Sequence, residues 1–448
     1  MKKKIIIVSL ICLLFLFISH VFSPYGFLSG YGGMEHRVVE EPGVSGKTCE
    51  IRNIENKEIK RIHLPRSMFG YKVIGIGPFA FAGCNNLTNI KIRNDIRYVG
   101  ASAFANCEKL EKVKLPDSIT EIRAQTFKEC PSLTEILIPD CVTRIDHNAF
   151  WKCSSLPGVD LPDSLTYIGE NAFEGCTSLE SIVIPDRVTE IDHWSFYGCT
   201  SLKRVTLGKG METVGARSFA GCTSLEYVEI PEGVTVDMSE GKMGLFIGDG
   251  AFFGCTSLTS VTVPDGVGHL GSGAFEFCTA LTDVTLGNDL YIIGPGVFYG
   301  CTALESITLP DCAYDVAITM FYGCTSLKNV DFGDGVYEID ESAFAGCTSL
   351  EHIVLPDGLK TIDDRAFQDC TALTDITLPA DILEIDQLAF SGCSSLSSIH
   401  YGGSTEQWQS ILFGDSWDDG TANYTVYCTD GTLTKDGLTL TRTADTTF

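Results

Sequence analysis

The sequence predicts a repeat solenoid of about fourteen 23-residue coils, β-rich with short helical turns, stacked through one parallel sheet and capped at both ends. Three observations predict it. Cysteines stand at 84, 107, 130, 153, 176, 199 and 222, and again at 255, 278, 301, 324, 347, 370 and 393, each 23 residues after the last within its series. Three residues before each of them is a Phe, from Phe81 to Phe390, and three after is a Leu, from Leu87 to Leu396. Six after is always Ile or Val, and eight after is Leu, Ile or Val apart from Phe332 and Tyr401.

One coil reads Gly-Cys-Thr-Ser-Leu-x-x-Ile-x-Leu-Pro-Asp-x-Val-Thr-x-Ile-x-x-x-Ala-Phe. Its Ile-x-Leu segment alternates at period two, which predicts a short strand with both apolar residues inward. Pro-Asp, as at Pro116-Asp117, ends the strand and turns the chain. The Val-x-x-Ile segment makes a second apolar contact, compatible with another short strand. The Asp or Gly that follows suits the N-cap of a brief helical turn carrying Ala-Phe, and the Gly before Cys ends that turn. A lone coil cannot bury so many apolar residues; stacking buries them between neighbours.

The ends complete this organisation. Residues 1–23 open with three lysines and an apolar run, the pattern of a signal peptide or signal anchor, with cleavage and retention equally compatible. Residues 24–48 are expected to be a spacer and 49–76 an N-terminal capping repeat. The solenoid covers 77–403, with an insertion near 232–248. Residues 404–448 are expected to cap the C-terminal edge with a short helix opened by Ser404 and a hairpin turning at Asp430-Gly431.

The chain carries 32 basic and 58 acidic residues, a net charge of −26. Such a surface repels phosphate backbones and argues against nucleic-acid binding. Membrane contact is expected only through the N-terminal hydrophobic segment. Enzyme motifs fail on inspection. Gly43 to Thr48 resembles a phosphate loop but has Glu41 where the first Gly is needed. Asp415 to Gly420 resembles a calcium loop but places Trp417 at the third position. No catalytic residue and no cofactor are expected.

The combination Leu-x-x-Ile-x-Leu-Pro followed by Ile-x-x-x-Ala-Phe-x-Gly-Cys resembles the BspA-type bacterial leucine-rich repeat family, over about residues 60–403. The resemblance implies a secreted or cell-surface protein, since members of that family are exported and several are described as adhesins for host matrix proteins or other cells. It implies an extracytoplasmic binding or adhesion function toward a protein or glycan partner. The alternatives are a polysaccharide-acting enzyme on a parallel β-helix and a purely structural spacer.

Several residue sets invite a chemical role. The repeat cysteines occupy one place per coil between Phe and Leu, with parallel Cβ vectors that suit neither a disulfide nor a converging zinc site, so they are expected to be small buried apolar groups. His147 and His193 share a coil position two repeats apart, too distant for one ion, and are expected to be exposed turn residues. Asp340, Asp363 and Asp386 stack in consecutive coils; they are candidate calcium ligands, against the simpler expectation that each caps its own turn. The outward strand positions vary from Lys91, Lys112 and Lys114 through Tyr227 and Glu229 to Asp283, Asp331, His352, Asp375 and His400. A repeated sheet with varied outward residues is a generic recognition surface. The insertion adds Met238, Met243, Leu245 and Phe246, unusually apolar for a loop. The partner-binding candidates are therefore Tyr227, Glu229, Met238, Met243, Phe246, Asp283, Asp331 and Asp375.

Overall fold

The computed structural model describes residues 25–26, 33–40, 44–232, 236–237 and 242–435. The expected leader and Met238 lie outside the described residues. The chain divides into two compact units, residues 1–180 and 181–448.

In unit 1 the Ile-x-Leu segments form a parallel ladder through Arg61–His63, Asn89–Lys91, Lys112–Lys114 and Glu135–Leu137. Each strand buries its middle residue and exposes its flanks, as Lys112 and Lys114 flank buried Val113. The Val-x-x-Ile segments form a second parallel ladder through Glu121–Ile122, Arg144–Ile145 and Tyr167–Ile168. The single sheet expected from sequence is therefore two ladders, because both apolar contacts of a coil meet equivalent backbone in the next. Unit 2 repeats the arrangement. Its first ladder includes Ser260–Val263 on Asp283–Leu286, Ser306–Thr308 on Asn329–Asp331, and His352–Val354 on Asp375–Leu378. Its second runs in one stretch from Asp315–Val316 through Glu338–Ile339, Thr361–Ile362 and Glu384–Ile385 to Leu412–Phe413. Counted over both units, the coils number about sixteen, because the two end segments add coils to the fourteen that carry the register Cys.

The Ala-Phe segment is not helical, which corrects the expected helical turn. In the coil of Phe344, Ala343 N–H donates to Asp340 O at 3.2 Å and Ala345 N–H to Ser342 O at 3.1 Å, closing successive β-turns. Alternate residues donate across to the next coil instead: Ser342 to Asp364 O at 2.9 Å and Phe344 to Ala366 O at 2.8 Å. A helix would spend those donors within the coil. The alternation requires a left-handed residue every fourth position, here Ser342 at φ 58° and Gly346 at φ 75°. Only glycine takes that conformation freely, and another residue there costs about 1–3 kcal/mol. The Asp or Gly expected as an N-cap instead starts a turn. Gly215 stands so close to the preceding coil that a Cβ would lie 2.7 Å from His193 N.

Behind the turns runs the main core. In unit 1, Phe81, Phe104, Phe127, Phe150 and Phe173 stack ring on ring at centroid distances from 5.0 to 5.6 Å. In unit 2 the stack from Phe196 to Phe390 keeps 5.1 to 5.9 Å. The step from Phe219 to Phe252 is as close as the others, so the ten inserted residues leave the coil without disturbing it.

Both ends depart from expectation. Met34–Val39, expected within a spacer, is a strand paired antiparallel with Thr48–Ile54, whose other edge joins Tyr71–Ile76. Cys49, Ile51 and Ile54 are buried there, so covering the open edge recruits residues before 49. At the C-terminal end Ser404 and Gln407 form a capping box on the helix Thr405–Ser410, and Thr425–Cys428 pairs antiparallel with Gly431–Thr434. Between them a complete extra coil intervenes. Leu412–Phe413 extends the second ladder, and Phe390 N–H donates to Trp417 O at 2.7 Å, so Trp417 takes the place of the next Phe.

Candidate recognition surface

The outward side chains of the first ladder reach solvent because the pleat leaves them no other direction. In unit 1 this face carries Lys91, Lys112 and Lys114, with Lys112 paired to Glu135 at 2.6 Å. In unit 2, Tyr227 and Glu229 flank buried Val228; the Arg204 guanidinium lies 5.3 Å from the Tyr227 ring centroid, and Thr206 donates to Glu229 at 3.2 Å. Further along, short polar residues of three strands line one trough of about 410 Å³. Asp283 and Thr285 come from the first strand, Ser306 and Thr308 from the second, Asn329 and Asp331 from the third. The trough forms because every outward residue here is short, while Tyr227 and His352 stand on the ladder before and after it. Two predicted candidates, Asp283 and Asp331, are thus brought to one site. Asp375 is held apart on a later strand, in a hydrogen-bonded pair with His352 Nδ1.

The insertion is resolved differently from its sequence reading. Val236–Asp237 and Lys242–Met243 form a two-stranded antiparallel hairpin. Leu245 and Ile247 are fully buried in a strand of the second ladder, which bulges between Leu245 and Phe246 against the next coil, and do not belong to the loop. Phe246 points outward from that strand and stacks on His269 at 4.2 Å. It lies on a different ladder from Tyr227 and Asp283. Met243 is 54% exposed at the hairpin base.

Acidic residues converge beside the second ladder. Glu338, Asp340 and Asp363 each offer a carboxylate oxygen within 4.8 Å of the others, a donor set that suits a hard oxygen-seeking cation. Asp386 is outside this set; its carboxylate accepts the Gln387 N–H at 2.6 Å. Burial first, then the charges of Asp315, Glu338 and Asp363, pushes the Asp340 carboxyl up to about 7. Burial, followed by Glu338, Asp386, Glu384 and Glu341, pushes Asp363 up to about 6. His147 is an exposed turn residue of unit 1, and His193 in unit 2 accepts the Ala216 N–H at 2.9 Å through Nδ1.

The cysteines hold a structural role that their apolar reading missed. Twelve of the repeat thiols donate to the carbonyl of the Phe one coil earlier, as Cys107 does to Phe81 at 3.2 Å and Cys370 to Phe344 at 3.2 Å. That carbonyl also accepts the N–H of the Cys in its own coil, as Phe344 O does from Cys347 at 3.1 Å, so the thiol adds a second, weak bond across the coil interface that Ala could not make. All cysteines among the described residues are free thiols. Burial raises the Cys84 thiol to about 11 and the Cys278 thiol to about 12, which keeps both protonated.

Two stacked parallel ladders, a turn ladder and a variable outward face define a β-solenoid scaffold of the leucine-rich type. The family model for the BspA type leucine rich repeat region matches residues 52–145, 120–239, 245–317 and 292–418, and the chain belongs to that family. A leucine-rich repeat protein from Bacteroides ovatus is 30% identical, with 90% of this chain and 100% of that one covered at a TM-score of 0.66. A leucine-rich cell surface protein from Faecalibacterium prausnitzii is 27% identical, with 87% and 98% covered at a TM-score of 0.50. Among curated proteins nothing matches. Among the described residues no helix is long and apolar enough to cross a membrane.

Proposed function

We propose that this protein is a non-catalytic recognition module displayed outside the cell, binding a protein or glycan partner through the strand face of unit 2. The trough between Asp283 and Asp331 carries this reading. It presents carboxylates, hydroxyls and an amide from three neighbouring strands, two of them paired with each other, and a preformed display lowers the ordering cost of binding. Membership of a family with a cell-surface relative and an apolar, lysine-led N-terminus support export. The acidic balance favours partners with basic or hydroxyl-rich surfaces.

Binding of the purified protein to an array of extracellular-matrix proteins and glycans tests this. A saturable partner is expected, and Asp283→Ala with Asp331→Ala should weaken it about tenfold or more, since two charged contacts at a binding site are worth at least that. Both residues are exposed, so the fold should be unaffected. A partner indifferent to both changes would move the site elsewhere, and no partner at all would leave a spacer.

A further inference from the structure

The strand face of unit 1 is positive in a chain whose net charge is −26. Its four strands, Arg61–His63, Asn89–Lys91, Lys112–Lys114 and Glu135–Leu137, form one parallel ladder. They expose Arg61, Lys91, Lys112 and Lys114 against one carboxylate, Glu135. Lys60 and Glu111, each one residue before its strand, are opposite in sign and offset each other. Among the described residues Lys112 has a carboxylate partner, Glu135 at 2.6 Å, whereas Arg61, Lys91 and Lys114 have none. Register sets Lys91 directly opposite Lys114, an arrangement of like charges that repels. The fold does not call for it, since Thr206, Thr285 and Thr308 hold the same coil position in unit 2.

We propose that this face binds an acidic polysaccharide, a chain of uronic acid rings with one carboxylate each. Charge complementarity and spacing together select it. The outward residues form two columns, Arg61, Asn89 and Lys112 in one, His63, Lys91 and Lys114 in the other. Going up the ladder, fixed cations therefore alternate sides: Arg61, then Lys91, then Lys112. In a chain of equatorially linked uronic acids each ring is turned over relative to the last, so its carboxylates alternate sides too. Each ring advances by close to one strand spacing, about 4.8 Å, so the two patterns stay in step. An extended acidic peptide also alternates sides, but every 3.4 Å or so, and has slipped by about 3 Å at the third contact. The Asn89 amide, opposite Lys112, offers a donor and an acceptor to ring hydroxyls. Exposed Leu137 ends the second column with an apolar surface for a ring. The four strands span about 14 Å, room for about three rings. At physiological salt charges are screened beyond about 8 Å, so this local patch governs the attraction more than the net charge does. The trough of unit 2 uses other side chains, so either site can fail without the other.

Fluorescence anisotropy of labelled hexamannuronate, titrated with the intact protein at about 0.15 M salt, tests the proposal. Saturable binding is expected, and the methyl ester, which keeps the rings and loses the charges, should not bind. Arg61→Gln with Lys91→Gln should weaken binding about tenfold. Lys128→Gln with Lys152→Gln removes two charges of unit 1 beside Trp151, on the turn edge, and should change it less than about twofold. The first pair should not lower the urea midpoint, because it relieves a repulsion. Equal weakening by both pairs would overturn the proposal in favour of a diffuse field. A lowered midpoint would make Arg61 and Lys91 structural. Hexaglutamate bound in place of the sugar, and lost in the first pair, would reassign the face to acidic peptides, and no binding of either probe would leave it a solvated surface.

Discussion

Replacing Phe344 by alanine is expected to cost about 3–5 kcal/mol and to open unit 2 locally, before the rest of it unfolds. Phe344 is fully buried, stacked at 5.3 Å on Phe321 and 5.1 Å on Phe367, with the edge of Phe332 at 6.2 Å. Removing the ring leaves a void bounded by aromatic faces that belong to rigid turns, so collapse cannot refill it. Because each coil of a solenoid meets only its neighbours, the loss falls on two coil interfaces, and a single unfolding transition should split in two. Urea titration by circular dichroism measures the cost. Hydrogen exchange locates it, with protection lost first between about residues 317 and 390, the coils on either side of the void. The exposed stack of Tyr314 on Tyr337, at 5.6 Å, is the control: Tyr314→Ala should change stability by less than about 0.5 kcal/mol. A loss at Phe344 no larger than at Tyr314 would mean that the ring ladder is not where this fold stores its stability.

The Phe register was legible because one residue type returned at a fixed interval, and a periodic signal survives without knowledge of the backbone. The strand face was legible for the same reason: alternation alone puts Asp283 and Asp331 outward, although only the ladder shows that short neighbours make a trough between them. What escaped was decided by backbone geometry without a residue signature. Ser342, Gln125 and Leu388 occupy one left-handed position that no composition rule links, so the turns were expected to be helical. Leu245 was counted with the loop because the insertion hides where the second ladder resumes. The thiol-to-carbonyl bond of Cys107 could not be read from a residue that also behaves as a small apolar group.

Asp340→Asn is expected to stabilise the protein at about pH 7.5 and to leave it unchanged at about pH 3. The Asp340 carboxyl ordinarily titrates at 3.8 and is held up to about 7 here, and Asp363 is held up to about 6. Below about pH 3, under the ordinary value of 3.8, both are protonated folded or unfolded, and the folded state bears no penalty. As pH rises, the unfolded chain ionises first, so stability falls until the folded carboxyls ionise near pH 6 to 7, and then levels. The full value for a group raised from 3.8 to about 7 is about 4 kcal/mol, but Asp340 is half-exposed and solvent screening reduces the expectation to about 1 kcal/mol. Asparagine keeps the shape and removes the charge that Asp315, Glu338 and Asp363 oppose. Urea midpoints of both proteins across about pH 3 to 8 would show two curves that meet at the acid end and separate toward neutrality; parallel curves would refute the assignment. Calcium decides what the cluster is for. If Glu338, Asp340 and Asp363 hold a cation, millimolar calcium at pH 7.5 should raise the wild-type midpoint as the charge change does, and Asp363→Ala should abolish the rise. If calcium moves neither midpoint, the three carboxylates destabilise their coils at neutral pH without a bound ion to offset them, and their place is as a pH-sensitive element of the second ladder.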